Sequence, residues 1–442
     1  MAEFDASIDA DVLVLGGGMA GMTVAATAAG LGATVVVVDV APDIGGSAAM
    51  SEGYVWTAPS VEVFSAQDPG GDAERFAVML AGLPDALDWV AGLGVTTGGW
   101  LTGVLGYGEG RQIDVAHYLR RCRAAVTSGG GWVLVDSEPT ELVPDGATSV
   151  GGAVVRHRVT GERLLVTAPA TVLATGGFQR DPELCDERLF DGASRLVART
   201  NPHSAGGGLR LGLAAGAASV DTPGFYGHLV PHPLEVFEPA DYALLAQYHS
   251  DHGLLLGRDG ARFTDESLGD HVNTQEVARR GTALLVVDER IRREQVLRPF
   301  IPGMDAIDKM AEAGRRGARY VSAPTTAALA AAVSDWGYDA AGVVAQLAAF
   351  EAGFLDVPRS GNRVPLTEPP FAAVEVQAAI TFTYGGLATD VDGRVLDPSG
   401  AAIPGLYAAG VDAGGLNVRG YTGGLVRGLV LGRRLGTILG AL

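Results

Sequence analysis

The chain has 442 residues, of which 47% are apolar and 19% charged, and a formal net charge of −19. That is a globular composition, long enough for two or three domains around a large core, and not a disordered one. The acidic balance argues against nucleic acid or an anionic membrane as partner, since both require a basic surface.

From the N-terminus, the stretch MAEFDASID is acidic and polar, which is not a secretory leader, and a cytoplasmic location is expected. Val12 to Val38 carries no charge and is long enough to raise a membrane alarm. Against that, Gly16-Gly17-Gly18 interrupts it, Thr34 to Val38 is β-branched, and Asp9, Asp11 and Asp39 flank it without basic anchors. Strand, helix and strand fit better: Asp11–Leu15, Met19–Leu31 and Thr34–Asp39. No membrane insertion is expected.

Apolar spacing after Asp72 (Phe76, Met79, Leu80, Leu83, Leu87) marks a second helix, and another runs from Asp114 to about Val126. Three short runs, 132–135, 152–156 and 164–166, read as a small antiparallel layer with turns at Asp145-Gly146 and Thr160-Gly161. Thr171–Ala174 is again a buried strand, and a glycine-opened helix covers roughly Ala205–Ala218. Residues 224–352 differ in texture, holding most of the histidines and two helices, 325–333 and 340–352. The last ninety residues return to strands and glycine turns before a terminal apolar helix. Cys122 and Cys185 are far apart and form no CxxC pair, so two buried free thiols are expected, with no cysteine metal cluster. His232, Tyr248, His249 and His252 lie close in sequence but lack carboxylate or cysteine partners at ligand spacing; no metal is expected.

Gly16-x-Gly18-x-x-Gly21 closes a strand and opens a helix, the context that separates a dinucleotide fingerprint from a chance match. Gly16 permits the tight turn, Gly18 lets backbone approach a pyrophosphate, and Gly21 allows helix and strand to pack closely. The helix N-terminus, at Met19 and Ala20, offers N–H groups to the phosphates. Asp39, 23 residues after Gly16, is placed to accept from ribose hydroxyls. Further glycine turns point to FAD rather than NAD: Gly45-Gly46-Ser47, then Ala174-Thr175-Gly176, then Gly410 after the strand Ile403–Ala409.

Those blocks, with Gly206–Leu209, Arg262–Glu266, Thr383–Gly386 and the run through Arg433, occur in the order found in one flavoprotein family. The chain resembles the soluble fumarate reductases, tricarballylate dehydrogenases and 3-ketosteroid dehydrogenases over nearly its whole length. The resemblance implies an α/β fold with an α+β cap. It has a discontinuous Rossmann-type FAD-binding domain (1–223 and 353–442) and an inserted capping, substrate-binding domain (224–352). It also implies hydride exchange between flavin N5 and a C–C or C=C bond beside a carbonyl or carboxyl, Gly424 and Leu425 near the flavin, and an electron donor or acceptor. Membrane-bound members attach FAD to a histidine before the second glycine turn. No histidine precedes His117 here, so FAD should be non-covalent.

The departures from the family matter as much. Fumarate-reducing members hold carboxylates and deliver a proton with histidines and an arginine. Phe382 stands near one such histidine, and Asp270 near the arginine. An aspartate carries the opposite charge and binds no carboxylate. In the ketosteroid enzymes a glycine-flanked tyrosine holds the ketone, and Tyr421 in Arg419-Gly420-Tyr421-Thr422-Gly423-Gly424 matches that segment. Tyr421 either polarises a carbonyl or only packs under the flavin. Their base tyrosine also falls near Asp270, so Asp270 or His271 either serves as general base or forms a plain surface pair. His228 lies near another active-site histidine, and Tyr384 would wall the pocket. The reading is an FAD-dependent dehydrogenase or reductase of an apolar carbonyl compound, cyclic ones included. The alternatives are a reductase of small unsaturated acids and a non-catalytic flavin-binding protein.

Overall fold

The computed structural model describes residues 4–146, 148–299 and 306–442, so Met1–Glu3 of the acidic N-terminal stretch lie outside it. Two compact units emerge: one comprises 1–194, 200–225 and 382–442, the other 195–199 and 226–381.

The first unit is built on a six-stranded sheet in the order Arg394–Leu396, Ala402–Ala408, Ala170–Leu173, Val12–Leu15, Val35–Val38, Trp132–Leu134. Its central strands are parallel and fully buried, which is why they read as continuous Val and Leu runs without alternation. The uncharged stretch is therefore strand Val12–Leu15, helix Met19–Gly30 and strand Val35–Val38. Among the described residues no helix is long and apolar enough to cross a membrane. Asp72 and Asp114 cap their helices, Ala73–Gly92 and Val115–Ser128, by accepting from the backbone N–H of Arg75 (2.9 Å) and His117 (2.8 Å).

One segment departs from the sequence reading. Trp132–Leu134 joins the parallel sheet beside Val35–Val38, because it follows a crossover helix. The antiparallel layer is Ser137–Asp145, Ser149–His157 and Arg163–Thr167, with Ala6–Asp9 added parallel at its edge. The glycine-opened helix is shorter than expected, Gly207–Ala214, since Ser219–Val220 leaves to pair with Gly386–Leu387. A three-stranded sheet of Tyr54–Thr57, Gly108–Ile113 and Thr97–Val104 was not legible, as its outer strand is glycine-rich and mostly exposed. Cys122 and Cys185 are both buried free thiols.

The terminal helix Gly424–Leu439 lies along helix Met19–Gly30 by presenting Gly428, Gly432 and Gly436, one per turn. A methyl at Gly436 would sit 2.7 Å from both Thr27 Cβ and the Val24 carbonyl oxygen, and one at Gly428 3.1 Å from the Ala20 nitrogen. The two backbones approach as closely as they do because nothing stands between them.

In the second unit, strand Phe371–Thr383 is the organiser. It pairs antiparallel with Thr282–Val287 and Tyr320–Ala323, parallel with Val197–Ala198, and also with Phe225–Pro231. This unit therefore runs on to Thr381, past residue 352 where the change in texture ends. Helices Thr326–Ser334 and Ala340–Glu351, capped by Thr325 and Asp339, bury Leu329, Val343 and Phe350 in its core.

Gly436→Ala should be destabilising by about 1–3 kcal/mol through overpacking, outweighing a helix-propensity gain of roughly 1 kcal/mol. Gly30→Ala, where an added methyl meets nothing within 4 Å, is the control and should be neutral or stabilising. Thermal unfolding of both variants checks this; equal effects would refute the packing account.

Candidate functional site

The first glycine turn is shaped by what it touches. Gly16 has φ +113°, and a methyl there would lie 2.1 Å from the Ala174 carbonyl oxygen. A methyl on Gly21 would lie 1.8 Å from the Gly16 oxygen, so helix and strand meet only through glycine. At Gly18 the nearest heavy atom to a Cβ is 4.0 Å away, which leaves that face of the turn open. Gly18 also caps the helix without a side-chain acceptor, and no acidic residue occupies the first turn. The N–H groups around Met19 and Ala20 thus point at a place suited to an anion.

Around this turn the structure gathers the other glycine blocks. Gly45 donates its N–H to the Gly17 oxygen (2.8 Å), and a Cβ on Gly46 would be 3.4 Å from Gly18 Cα, with Ser47 following at the surface. A Cβ on Gly410 would be 2.9 Å from Ala20 Cβ. Asp39 accepts from the N–H groups of Gly17 (2.6 Å) and Ala41 (2.8 Å), and burial raises its pKa above the ordinary carboxylate value. Thr175 donates its N–H and hydroxyl to Asp412, a residue the sequence reading missed; Gly176 N–H adds a 3.3 Å bond, and burial pushes that carboxyl up to about 7. Gly208 N–H in turn donates to the Thr175 hydroxyl (2.7 Å). An open glycine turn at a helix N-terminus, a second turn beside it and an acid at the next strand end fit an FAD pyrophosphate and ribose.

The first unit also holds an aromatic cluster. Tyr421 meets Trp56 (ring centroids 5.4 Å) and Phe382 (6.0 Å); Phe382 meets Tyr384 (5.9 Å), and Trp56 meets Tyr107 (5.9 Å). All but Tyr107 are buried, and the Tyr384 hydroxyl has no hydrogen-bond partner among the described residues. The Tyr421 oxygen accepts from Gly424 N–H (3.0 Å), at the start of the helix that Leu425 continues. Tyr107, unanticipated from sequence, donates its hydroxyl to the Tyr421 carbonyl. The loop before Tyr421 is held by a single carboxylate. Buried Asp68 accepts from Asn417 Nδ2 (3.0 Å) and from the N–H groups of Val418 (3.0 Å), Arg419 (2.9 Å) and Gly420 (2.8 Å). The flanking glycines are obligatory: a Cβ on Gly420 would be 2.3 Å from the Gln67 oxygen, and one on Gly423 2.0 Å from the Trp56 oxygen.

In the second unit Asp270 and His271 begin helix Asp270–Ala278 and are each only 4% exposed, so they are not a surface pair. Asp270 is joined not to its neighbour but to His228, whose Nδ1 is 2.5 Å from Asp270 Oδ2. Asp270 Oδ1 also accepts from Leu229 N–H (3.3 Å) and Ser250 Oγ (3.4 Å). Burial drives the Asp270 carboxyl up to about 7 and holds the His228 imidazole well below its usual range. Arg262–Glu266 is a supporting block. Glu266 accepts from Arg262 (2.6 and 2.9 Å) and Arg359 (3.0 Å), and its backbone oxygen holds Asn273 (2.9 Å) one turn into the helix. His249 is buried and held down to about 3, which suits a packed neutral imidazole.

A sequence model of the FAD binding domain family matches residues 11–424. The cytochrome-type fumarate reductase of Shewanella frigidimarina is 25% identical over 94% of this chain and 74% of its own length. The 3-oxosteroid 1-dehydrogenase of Comamonas testosteroni is 29% identical over 64% of this chain and 53% of its own. Among solved structures, the 3-ketosteroid Δ1-dehydrogenase of Sterolibacterium denitrificans superposes with TM-score 0.76 at 20% identity, covering 98% of this chain and 99% of that one.

Asp68→Ala would leave buried donors of the Asn417–Gly420 loop without an acceptor, at about 1–3 kcal/mol each before relaxation. A lower thermal midpoint, with near-ultraviolet circular dichroism changed in the tyrosine and tryptophan bands, is the expected result. An unchanged midpoint and spectrum would show that the loop holds itself.

Proposed function

The chain belongs to the FAD binding domain family and is an FAD-dependent oxidoreductase acting on CH–CH groups; from that premise we propose that its substrate is an apolar carbonyl compound, desaturated or reduced at the bond beside the carbonyl. The observation that carries this reading is the character of the cluster around Tyr421: Trp56, Tyr107, Phe382 and Tyr384 supply aromatic surface and hydroxyls, and the cation beside Tyr384, buried Arg427, donates to the Ala413 carbonyl and stands near the Asp412 carboxyl. Fumarate and similar small acids would need cations placed for both of their carboxylates.

FAD, when bound, supplies the hydride acceptor or donor. The backbone of Gly16–Gly21 with Met19 and Ala20, Asp39, Gly45–Ser47, Ala174–Gly176, Gly410, Gly424 and Leu425 are the residues assigned to hold it. Tyr421 is assigned the substrate carbonyl. Its oxygen accepts from Gly424 N–H (3.0 Å), which fixes where the phenol sits. A carbonyl so polarised acidifies the neighbouring C–H and stabilises the enolate that forms when the proton leaves. Asp270 and His228 are assigned that proton, taking it in desaturation and returning it in reduction.

Anaerobic mixing of the flavin-loaded protein with 3-ketosteroids, cyclic enones and enoates tests the substrate class. Bleaching by a saturated ketone, or reoxidation of the reduced protein by an enone, is expected. Response to enoates alone would overturn the reading in favour of small acids. Tyr421→Phe should lower the rate constant roughly 10²–10³-fold. The pH dependence follows from Asp270, whose charge is also set by Arg199, His271, Asp251 and Ser250 around it. With its carboxyl titrating at about 7, proton donation (enone reduction) should fall above that pH and proton acceptance (desaturation) should rise. Asp270→Asn should flatten that limb.

A further inference from the structure

Residues 201–204, just before helix Gly207–Ala214, belong wholly to the first unit and meet three of the blocks assigned to FAD. A methyl at Gly46 would lie 3.4 Å from both Asn201 Nδ2 and Gly18 Cα, so the Asn201 carboxamide stands on the side of Gly46 where the first turn is open. A methyl at Gly176 would lie 3.3 Å from the Ser204 hydroxyl oxygen. His203 stands close enough to Asp39 to offset part of the rise that burial gives that carboxyl. The segment is pinned from behind. Thr200 Oγ1 accepts from Gln179 Nε2 (2.6 Å), the Ser204 carbonyl from Arg180 N–H (3.0 Å), and the Gly177 carbonyl from Gly206 N–H (3.1 Å).

Two donors are left over on this segment. Asn201 Oδ1 accepts from His203 N–H (2.9 Å), which orients the carboxamide and leaves its Nδ2 protons without an acceptor among the described residues. Ser204 is only 4% exposed, and its hydroxyl has no hydrogen-bond partner among the described residues either. Donors placed this way, one of them deeply buried, call for an acceptor that the protein does not supply. Charge indicates which acceptor it is. Residues 1–74 contain no Lys, Arg or His, so the turns Gly16–Gly21 and Gly45–Ser47 bring no cation of their own to a diphosphate. Backbone N–H groups meet part of its charge, and side-chain donors on a neighbouring segment meet more.

Resting on FAD as the cofactor and not on the carbonyl substrate, we propose that residues 201–204 are a further cofactor-holding segment, with Asn201 Nδ2 donating to the FAD diphosphate and Ser204 Oγ to the cofactor beside Gly176. The N-terminus of helix Met19–Gly30 supplies one set of donors to the diphosphate, and Asn201 supplies another from the side that Gly18 leaves open. The His203 N–H sets the carboxamide in place before the cofactor arrives, so little side-chain freedom is lost on binding.

Release of FAD from the holoprotein on dilution, read by the rise in flavin fluorescence, tests this. Asn201→Asp keeps the oxygen that accepts from His203 N–H but puts an anion where the donor stood; it should raise the Kd for FAD about 100-fold. Asn201→Ala and Ser204→Ala should each raise it roughly 10-fold. A Kd for Asn201→Asp within ~2-fold of wild type overturns the proposal. Stripped of FAD, Asn201→Asp should unfold at the same temperature as wild type, because the turn itself is kept. A lower midpoint there would make Asn201 a strut of its own turn and overturn the proposal. In phosphorus NMR of the holoprotein the diphosphate signals should move in Asn201→Ala; unmoved signals at weakened affinity would overturn it as well. A wild-type protein with no extractable FAD is a separate failure, since it would bring down the cofactor itself.

Discussion

The carbonyl oxygen of Ala174 and the backbone of Gly16 occupy space in which no side chain fits, and much of the first unit follows from that contact. Because strand Ala170–Leu173 runs so close to the first turn, helix Met19–Gly30 starts directly against the sheet, and Gly21 must be glycine for the helix to clear the Gly16 oxygen. The terminal helix then lies on the first through its own glycines, and Gly410 passes Ala20 at the same point. Glycine weakens a helix by roughly 1 kcal/mol relative to alanine, so Gly428, Gly432 and Gly436 on one face of the terminal helix make sense only where close approach returns more in packing. What the approach produces is a helix N-terminus, at Gly18 to Ala20, that no side chain among the described residues caps.

Charge is buried in several places, and the manner of burial separates scaffold from chemistry. Asp68 and Glu266 are each surrounded by donors, four and four respectively, so their charge is neutralised by hydrogen bonds in one fixed geometry. Such carboxylates hold loops: the first fixes the backbone leading to Tyr421, the second the turn leading to Asp270. Asp270 itself is supported differently. Its bonds to Leu229 N–H and Ser250 are long, 3.3 and 3.4 Å, and its short contact is to an imidazole that can give or take a proton. Burial pushes Asp270 up to about 7, as it does Asp412, but the partners of Asp412 are fixed backbone and hydroxyl donors, whereas the nearest partner of Asp270 is an imidazole that can itself exchange a proton.

What was legible in the sequence were features whose cause is local. The valine strands, the aspartate caps and the first glycine turn each declare themselves within a dozen residues, because burial on both faces, an orphan N–H and a forbidden Cβ act at short range. The glycines around Tyr421 were equally visible, although their reason, the Gln67 and Trp56 carbonyls, was not. Features that join distant residues were missed: Asp68 reaches a loop 349 to 352 positions away, and Tyr107 reaches Tyr421 across 314. Asp270 was seen beside His271, its neighbour in sequence, whereas its partner His228 lies 42 positions earlier. The alternation Tyr226-x-His228 was nevertheless a usable signal, since two polar rings on one face of an otherwise apolar strand need a reason. Trp132–Leu134 was misplaced because a three-residue edge strand looks the same in either kind of sheet until the preceding helix is counted as a crossover.

The aspartate at position 270 ties these threads together. A cation there would attract carboxylates and stay protonated at every ordinary pH, holding a substrate and donating through the same group. An aspartate in the same buried place repels carboxylates when ionised, so its worth lies in the pH range where it is only half ionised. That range is set by burial, which pushes Asp270 up to about 7, while burial holds the His228 imidazole well below its usual range. Neither group alone is well suited to work on carbon acids: a carboxylate is a weak base, and a deeply buried imidazole resists charging. Joined by one short hydrogen bond, the two groups can share a single proton without separating charge. The aromatic surroundings of Tyr421 accord with the same choice, because a substrate recognised by a polarised carbonyl needs no counter-charge of its own.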